Sequence, residues 1–147
     1  MTDQAAATLI EERMPGPIVA IDFDGTIVKH RFPDIGDEVP GAIRCMKKLQ
    51  SQGVRLILLT MRSDENADDG PYLSQAVDYC REQGIEFWAV NDNPEQPAWT
   101  SSRKVYAHQY IDDAATGCPL TQEPGHRPYV DWSKVESLLS ETLGLEE

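Results

Sequence analysis

Asp22-Phe23-Asp24-Gly25-Thr26 sets two carboxylates two residues apart, directly after the apolar run Ile18–Ile21. In extended backbone, residues two apart point the same way, so Asp22 and Asp24 can share one site while Phe23 turns elsewhere. Gly25 allows a sharp turn behind them. Two like charges brought together need a cation or a proton between them. A second acidic pair, Asp112-Asp113, ends another apolar run. Oxygen-only ligands of this kind suit a hard cation such as Mg²⁺ rather than zinc, and no cysteine or histidine adjoins the first pair. Thr60 and Lys104 add a hydroxyl donor and a point cation, the other half of a phosphate site. Each feature alone is commonly structural; the reading rests on their joint appearance.

These groups can meet only if the elements carrying them end together. Ile18–Ile21 is an uninterrupted, mostly β-branched run, as expected of a strand buried on both faces of a parallel sheet. A helix opens at Pro40 and closes at Gly53, with Ile43, Met46 and Leu49 on one face. Val54–Leu59 is a second buried strand. A second helix runs from Pro71 to Gly84, then Ile85–Val90 is a third strand. Residues 91–103 form a long loop broken by Asn93-Pro94 and Gln96-Pro97, Val105–Ile111 is a fourth strand, and Val130–Leu143 is a closing helix. Strands joined by helix-length crossovers imply an α/β fold, a Rossmann-like three-layer sandwich with a mainly parallel central sheet. Ligands of such sheets collect at the carboxyl ends of the strands, at the switch in strand order. Asp22, Asp24, Thr60, Asn91 and Asp112-Asp113 all fall at such ends.

The 147 residues suit one domain, with 13 Lys and Arg against 25 Asp and Glu, a net charge of −12. That balance disfavours nucleic acid, which requires a cationic footprint, and an anionic membrane surface. Three scattered cysteines fit a reducing cytoplasm rather than a disulfide framework or zinc site. The first fourteen residues carry Asp3, Glu11 and Glu12 without an apolar core, so no signal peptide is expected, and the protein is expected to be cytoplasmic. Residues 1–16 read as an N-terminal extension or short helix (over 3–13), and 17–147 as a single core domain.

Over about residues 17–117 the sequence resembles the haloacid dehalogenase-like hydrolases. Ile18–Thr26 (IVAIDFDGT) looks like the first motif of that superfamily, Leu56–Thr60 (LILLT) like the second, Lys104 like the third-motif lysine and Tyr110–Asp113 (YIDD) like the fourth. The resemblance implies a Mg²⁺-dependent phosphatase acting through an aspartyl-phosphate on a small phosphorylated metabolite. It casts Asp22 as nucleophile and Asp24 as acid and base. Thr60 would hydrogen-bond the phosphoryl group, and Lys104 would neutralise Asp22 and the phosphate. Mg²⁺ would be held by Asp22, the Asp24 carbonyl and Asp113, with Asp112 orienting the site. The choice between Asp112 and Asp113 as direct ligand stays open, as does that between Arg103 and Lys104 as the cation. An acid at the position of Asp24 is what phosphatases of the superfamily keep. Ala114 stands where small members of this kind commonly have a basic residue, which bears on substrate preference.

Thirty-eight positions separate Asp22 from Thr60, and 44 separate Thr60 from Lys104; neither interval leaves room for a cap domain. A capless, open site is therefore expected, overlooked by a flap at about residues 26–39. Gly25 just before it, His30 and Arg31 within it, and Arg62 two residues after Thr60, are the expected substrate contacts. A homo-oligomer, in which a partner subunit caps the site, is left open. Two other functions compete: a receiver-like phospho-accepting module, whose acidic residues would come in a different chain order, and a non-catalytic binding protein of the same fold.

Overall fold

The computed structural model describes residues 15–146; the helix expected over residues 3–13 lies outside them. Four parallel strands form the central sheet: β1 (Ile18–Ile21), β2 (Arg55–Leu58), β3 (Ala89–Val90) and β4 (Gln109–Ile111), in the order β3-β2-β1-β4. The chain moves outward from β1 through β2 to β3, then returns to the far side of β1. The order therefore switches between β1 and β4, where the carboxyl ends deliver Asp22 and Asp112. β1 is buried along its whole length, which its apolar sequence permits.

Residues 15–146 form a Rossmann-like α/β sandwich, with no cap domain among them. Val19 and Ile21 of β1 and Leu56 and Leu58 of β2 face a core shared with three helices, α1 (Ala42–Ser51), α2 (Tyr72–Glu82) and α3 (Trp132–Leu143). The alternate residues Ile18, Ala20 and Ile57 face a smaller cluster with Ala107, Trp88 and Val105. That second face is covered by the segment after β3, with its single 3-10 turn at Gln96–Ala98. No helix among the described residues is long and apolar enough to cross a membrane.

Side-chain amides shorten two expected strands. The Glu86 N–H goes to Gln50 Oε1 at 2.8 Å, so only Ala89–Val90 of the expected Ile85–Val90 strand joins the ladder. Likewise the Tyr106 N–H goes to Gln96 Oε1, and the Tyr110 hydroxyl takes both the Val105 carbonyl and the Ala107 N–H, leaving Gln109–Ile111 to pair with β1. The closing helix begins at Trp132, not Val130. Tyr129–Val130 is instead β6, antiparallel to β5 (Leu120–Thr121), a hairpin without an alternating signal in the sequence. The flap does fold back on itself: Lys29 N–H bonds the Asp37 carbonyl and Val39 N–H bonds the Ile27 carbonyl. The Lys29 ammonium ties it to Glu123 at 2.9 Å.

Candidate active site

Phe23 is fully buried and packs edge-on to Tyr79 of α2, while Asp22 and Asp24 on either side of it are only partly buried; the Asp24 carboxylate goes to Arg62 and does not join Asp22 as the sequence suggested. The Phe23 carbonyl accepts from Thr26, Ile27 and Val28, curling the chain tightly after the first carboxylate. That curl drives Thr26 inward until it is fully buried. Its hydroxyl donates to Asp22 Oδ2 at 3.0 Å and accepts from the Asp113 N–H at 3.2 Å, joining the ends of β1 and β4. Thr26 escaped the sequence reading as a site residue. The signal was present in Asp-Gly-Thr, since a hydroxyl two residues beyond an acid in a tight turn can reach back to the site.

Carboxylate oxygens of Asp22, Asp112 and Asp113 lie within 4.8 Å of one another. Both members of the second pair enter the cluster. The Asp22 carboxyl is pushed up to about 8, mainly by burial and then by the Asp112 charge and the contact with Asp113; the Thr26 hydroxyl works against the shift. The groups acting most strongly on Asp22 are thus neutral or anionic. Three converging carboxylates, one of them resisting ionisation, fit a hard divalent cation, whose charge would relieve the repulsion. The Asp24 carbonyl accepts no hydrogen bond among the described residues and is free to complete an all-oxygen set.

Several expected substrate contacts have other employment. Arg62 is 3% exposed. Its Nε and Nη2 each donate to one oxygen of Asp24 at 2.8 Å, its remaining N–H groups reach the carbonyls of Pro33, Asp34 and Tyr72, and its plane lies 5.0 Å from the rings of Phe23 and Phe32. With its fork filled, Arg62 locks Asp24 to the flap rather than meeting a ligand. Arg62→Ala is expected to destabilise the fold by about 3 kcal/mol, because it strands a largely buried carboxylate, and urea unfolding measures this. Arg62→Lys should recover only part of the loss, since an ammonium cannot fill a fork-shaped site.

His30 is likewise turned inward, with Nε2 2.7 Å from Asp113 Oδ2 and both side chains 14% exposed. It braces Asp113 within the acidic cluster rather than standing free on the flap. Gly25 uses its N–H on the Val28 carbonyl and its own carbonyl on the Val130 N–H, so no backbone group of it is left for a ligand. Its φ is +85°, and a Cβ there would overlap His30 Nε2 and Asp113 Oδ2. Gly25→Ala is expected to cost about 1–2 kcal/mol from the left-handed backbone alone and to push His30 off Asp113. The expected readout is a loss of cation affinity in calorimetry beyond any change in melting temperature.

Arg31 is exposed on the flap. Thr60 follows β2, on the strand beside Asp22; its N–H bonds Asn91 Oδ1 at 2.8 Å and its oxygen accepts from the Arg62 N–H at 3.1 Å, leaving the hydroxyl proton for a ligand. Lys104 is not joined to the acidic cluster: its ammonium stands 5.6 Å over the Tyr110 ring and forms no ion pair among the described residues.

No protein-family model and no curated protein matches the sequence. Among solved structures, a conserved protein from Bacteroides thetaiotaomicron matches at 36% identity and a TM-score of 0.66. The match covers 86% of this chain and 92% of that one.

Proposed function

The chain belongs to the same family as the conserved Bacteroides thetaiotaomicron protein, and we propose that it is a haloacid dehalogenase-like, Mg²⁺-dependent phosphatase that works through an aspartyl-phosphate. The convergence of Asp22, Asp112 and Asp113 at the switch point carries this reading. Thr60 at the neighbouring strand end supports it.

Asp22, Asp112, Asp113 and the Asp24 carbonyl would hold the cation. When bound, it offsets the crowded negative charge and polarises a phosphoryl oxygen. One Asp22 oxygen attacks phosphorus as the ester P–O bond breaks, and the leaving alkoxide takes a proton from Asp24. Asp24 then takes a proton from water as that water attacks phosphorus, releasing inorganic phosphate and restoring the Asp22 carboxylate. Arg62 occupies one lone pair on each Asp24 oxygen; a carboxylate offers about four such sites, so proton exchange on the open side remains available. Thr60 donates its hydroxyl to the phosphoryl group. Lys104, with no ion-pair partner among the described residues, would meet the substrate's negative charge.

Hydrolysis of p-nitrophenyl phosphate in Mg²⁺ buffer, lost on chelation and restored by re-addition, is the expected result. Hydrolysis at an undiminished rate in excess chelator would refute the assignment.

A further inference from the structure

Beside Thr60 the chain builds a second feature that the chemistry above does not use. A cavity of about 270 Å³ is walled by the loop after β3, with Asn91, Asp92, Thr100, Ser101 and Arg103 among its lining. Two buried amides frame it. Asn93 Nδ2 bonds the Tyr106 carbonyl, Gln96 Nε2 bonds the carbonyls of Ser102 and Lys104, and Gln96 Oε1 accepts from the Tyr106 N–H. Asn93 and Gln96 are 4% and 6% exposed, so the loop is cross-braced from within and the cavity is pre-formed.

One residue of the cavity's rim reaches the carboxyl end of β2. Asn91, on its rim, holds the Thr60 N–H with its side-chain carbonyl, and its NH₂ has no partner among the described residues. β3 and β1 flank β2, so Asn91 stands two strand spacings from Asp22, about 10 Å. Glu95 of the same loop is taken by Arg55 at 3.0 Å. Arg103 and Asp92 have no ion-pair partner among the described residues, and both line the cavity. A free guanidinium suits an anionic group. A free carboxylate with hydroxyl and amide donors suits hydroxyls.

We propose that this cavity is the leaving-group subsite, and that it takes a hydroxyl-rich leaving group bearing a second anionic group, which Arg103 meets. A sugar bisphosphate has this chemistry. The inference rests on the phosphatase reading, with Asp22 holding one end of the substrate and Arg103 the other.

The test compares a hexose bisphosphate with the matching hexose monophosphate, as kcat/KM in wild-type protein and in Arg103→Ala. Arg103 is exposed, so its loss should spare the fold. Wild type should favour the bisphosphate, and Arg103→Ala should lower that preference roughly ten- to a hundredfold, the worth of a charge-assisted contact. A preference unchanged by Arg103→Ala overturns the subsite. So does a wild type that hydrolyses p-nitrophenyl phosphate but shows no preference for the bisphosphate. If no ester is hydrolysed, the phosphatase reading fails on its own. Calorimetric binding of the bisphosphate then decides the subsite: affinity weakened in Arg103→Ala upholds it, and equal affinity or none overturns it.

Discussion

Asp22→Asn is expected to abolish phosphate-ester hydrolysis, lowering kcat by at least about 10³–10⁴-fold, as loss of a nucleophile does elsewhere. Asparagine keeps the shape of the side chain and its hydrogen bond from Thr26, but it cannot form the acyl-phosphate bond. The size of the effect follows from the reaction. Phosphate monoesters hydrolyse so slowly unaided that enhancements up to about 10²¹ are required, and a general base alone supplies roughly 10²–10⁴. The fold should survive, because removing one of three crowded negative charges relieves repulsion. A soluble, folded variant with no turnover is therefore the expected result, and stopped-assay phosphate release measures it. Asp24→Asn should instead leave the first phosphoryl transfer to good leaving groups such as p-nitrophenolate and slow the later attack by water.

The second large effect concerns cation and proton together. Burial and the neighbouring acids raise Asp22 from 3.8 to about 8 in the folded, metal-free chain. A carboxyl raised on folding binds its proton more tightly in the native state. Its stabilising contribution is full below pH 4 and is lost as pH rises through about 8. Metal-free protein should therefore lose stability between pH 4 and pH 8, with a slope no steeper than about 1.4 kcal/mol per pH unit. Mg²⁺ competes with that proton, so its stabilisation should grow over the same range. At a hundredfold excess over its dissociation constant the gain is about 2.7 kcal/mol, or roughly 5–10 °C in melting temperature for a chain of this size. Scanning calorimetry at pH 5 and pH 8, with and without Mg²⁺, should show a larger Mg²⁺ shift at pH 8. Asp22→Asn should flatten the pH slope and remove most of the Mg²⁺ shift. A melting temperature indifferent to Mg²⁺ at pH 8 would contradict the cation site.

Much of the framework was legible because it is local. The run Ile18–Ile21 can be stable only as a strand buried on both sides, and the two acids after it must then emerge at its carboxyl end. The same logic placed Thr60 and Asp112-Asp113 at neighbouring ends, and the absence of a cap followed from intervals of chain too short to fold one. The capping of the first two helices was similarly readable: Gly53 and Gly84 stop them with positive φ angles, as their positions suggested.

What escaped depends on contacts distant in sequence. Arg62 looked free because nothing nearby reveals that Pro33 and Asp34 turn their carbonyls toward it, or that Phe23 and Phe32 enclose it. His30 looked like a substrate contact on the flap because its partner, Asp113, lies 83 residues away. Gln50, Gln96 and Tyr110 shorten two strands by supplying side-chain partners to backbone groups, a competition that hydrophobic periodicity does not register. Gln96, together with Asn93, also frames the cavity on whose rim Asn91 holds Thr60. Local pattern thus located the carboxylates, while tertiary hydrogen bonding decided which basic residues stayed available to a ligand.

The most direct test is to follow the phosphoryl group itself. Enzyme in Mg²⁺ buffer is mixed with excess p-nitrophenyl phosphate, quenched in acid during turnover, digested, and analysed by peptide mass spectrometry. A phosphoryl group on Asp22, absent from Asp22→Asn and from chelated enzyme, is the expected result. Steady hydrolysis that persists in Asp22→Asn, with no phosphoryl group on Asp22 in the wild type, would contradict the nucleophilic role on which the proposed function depends.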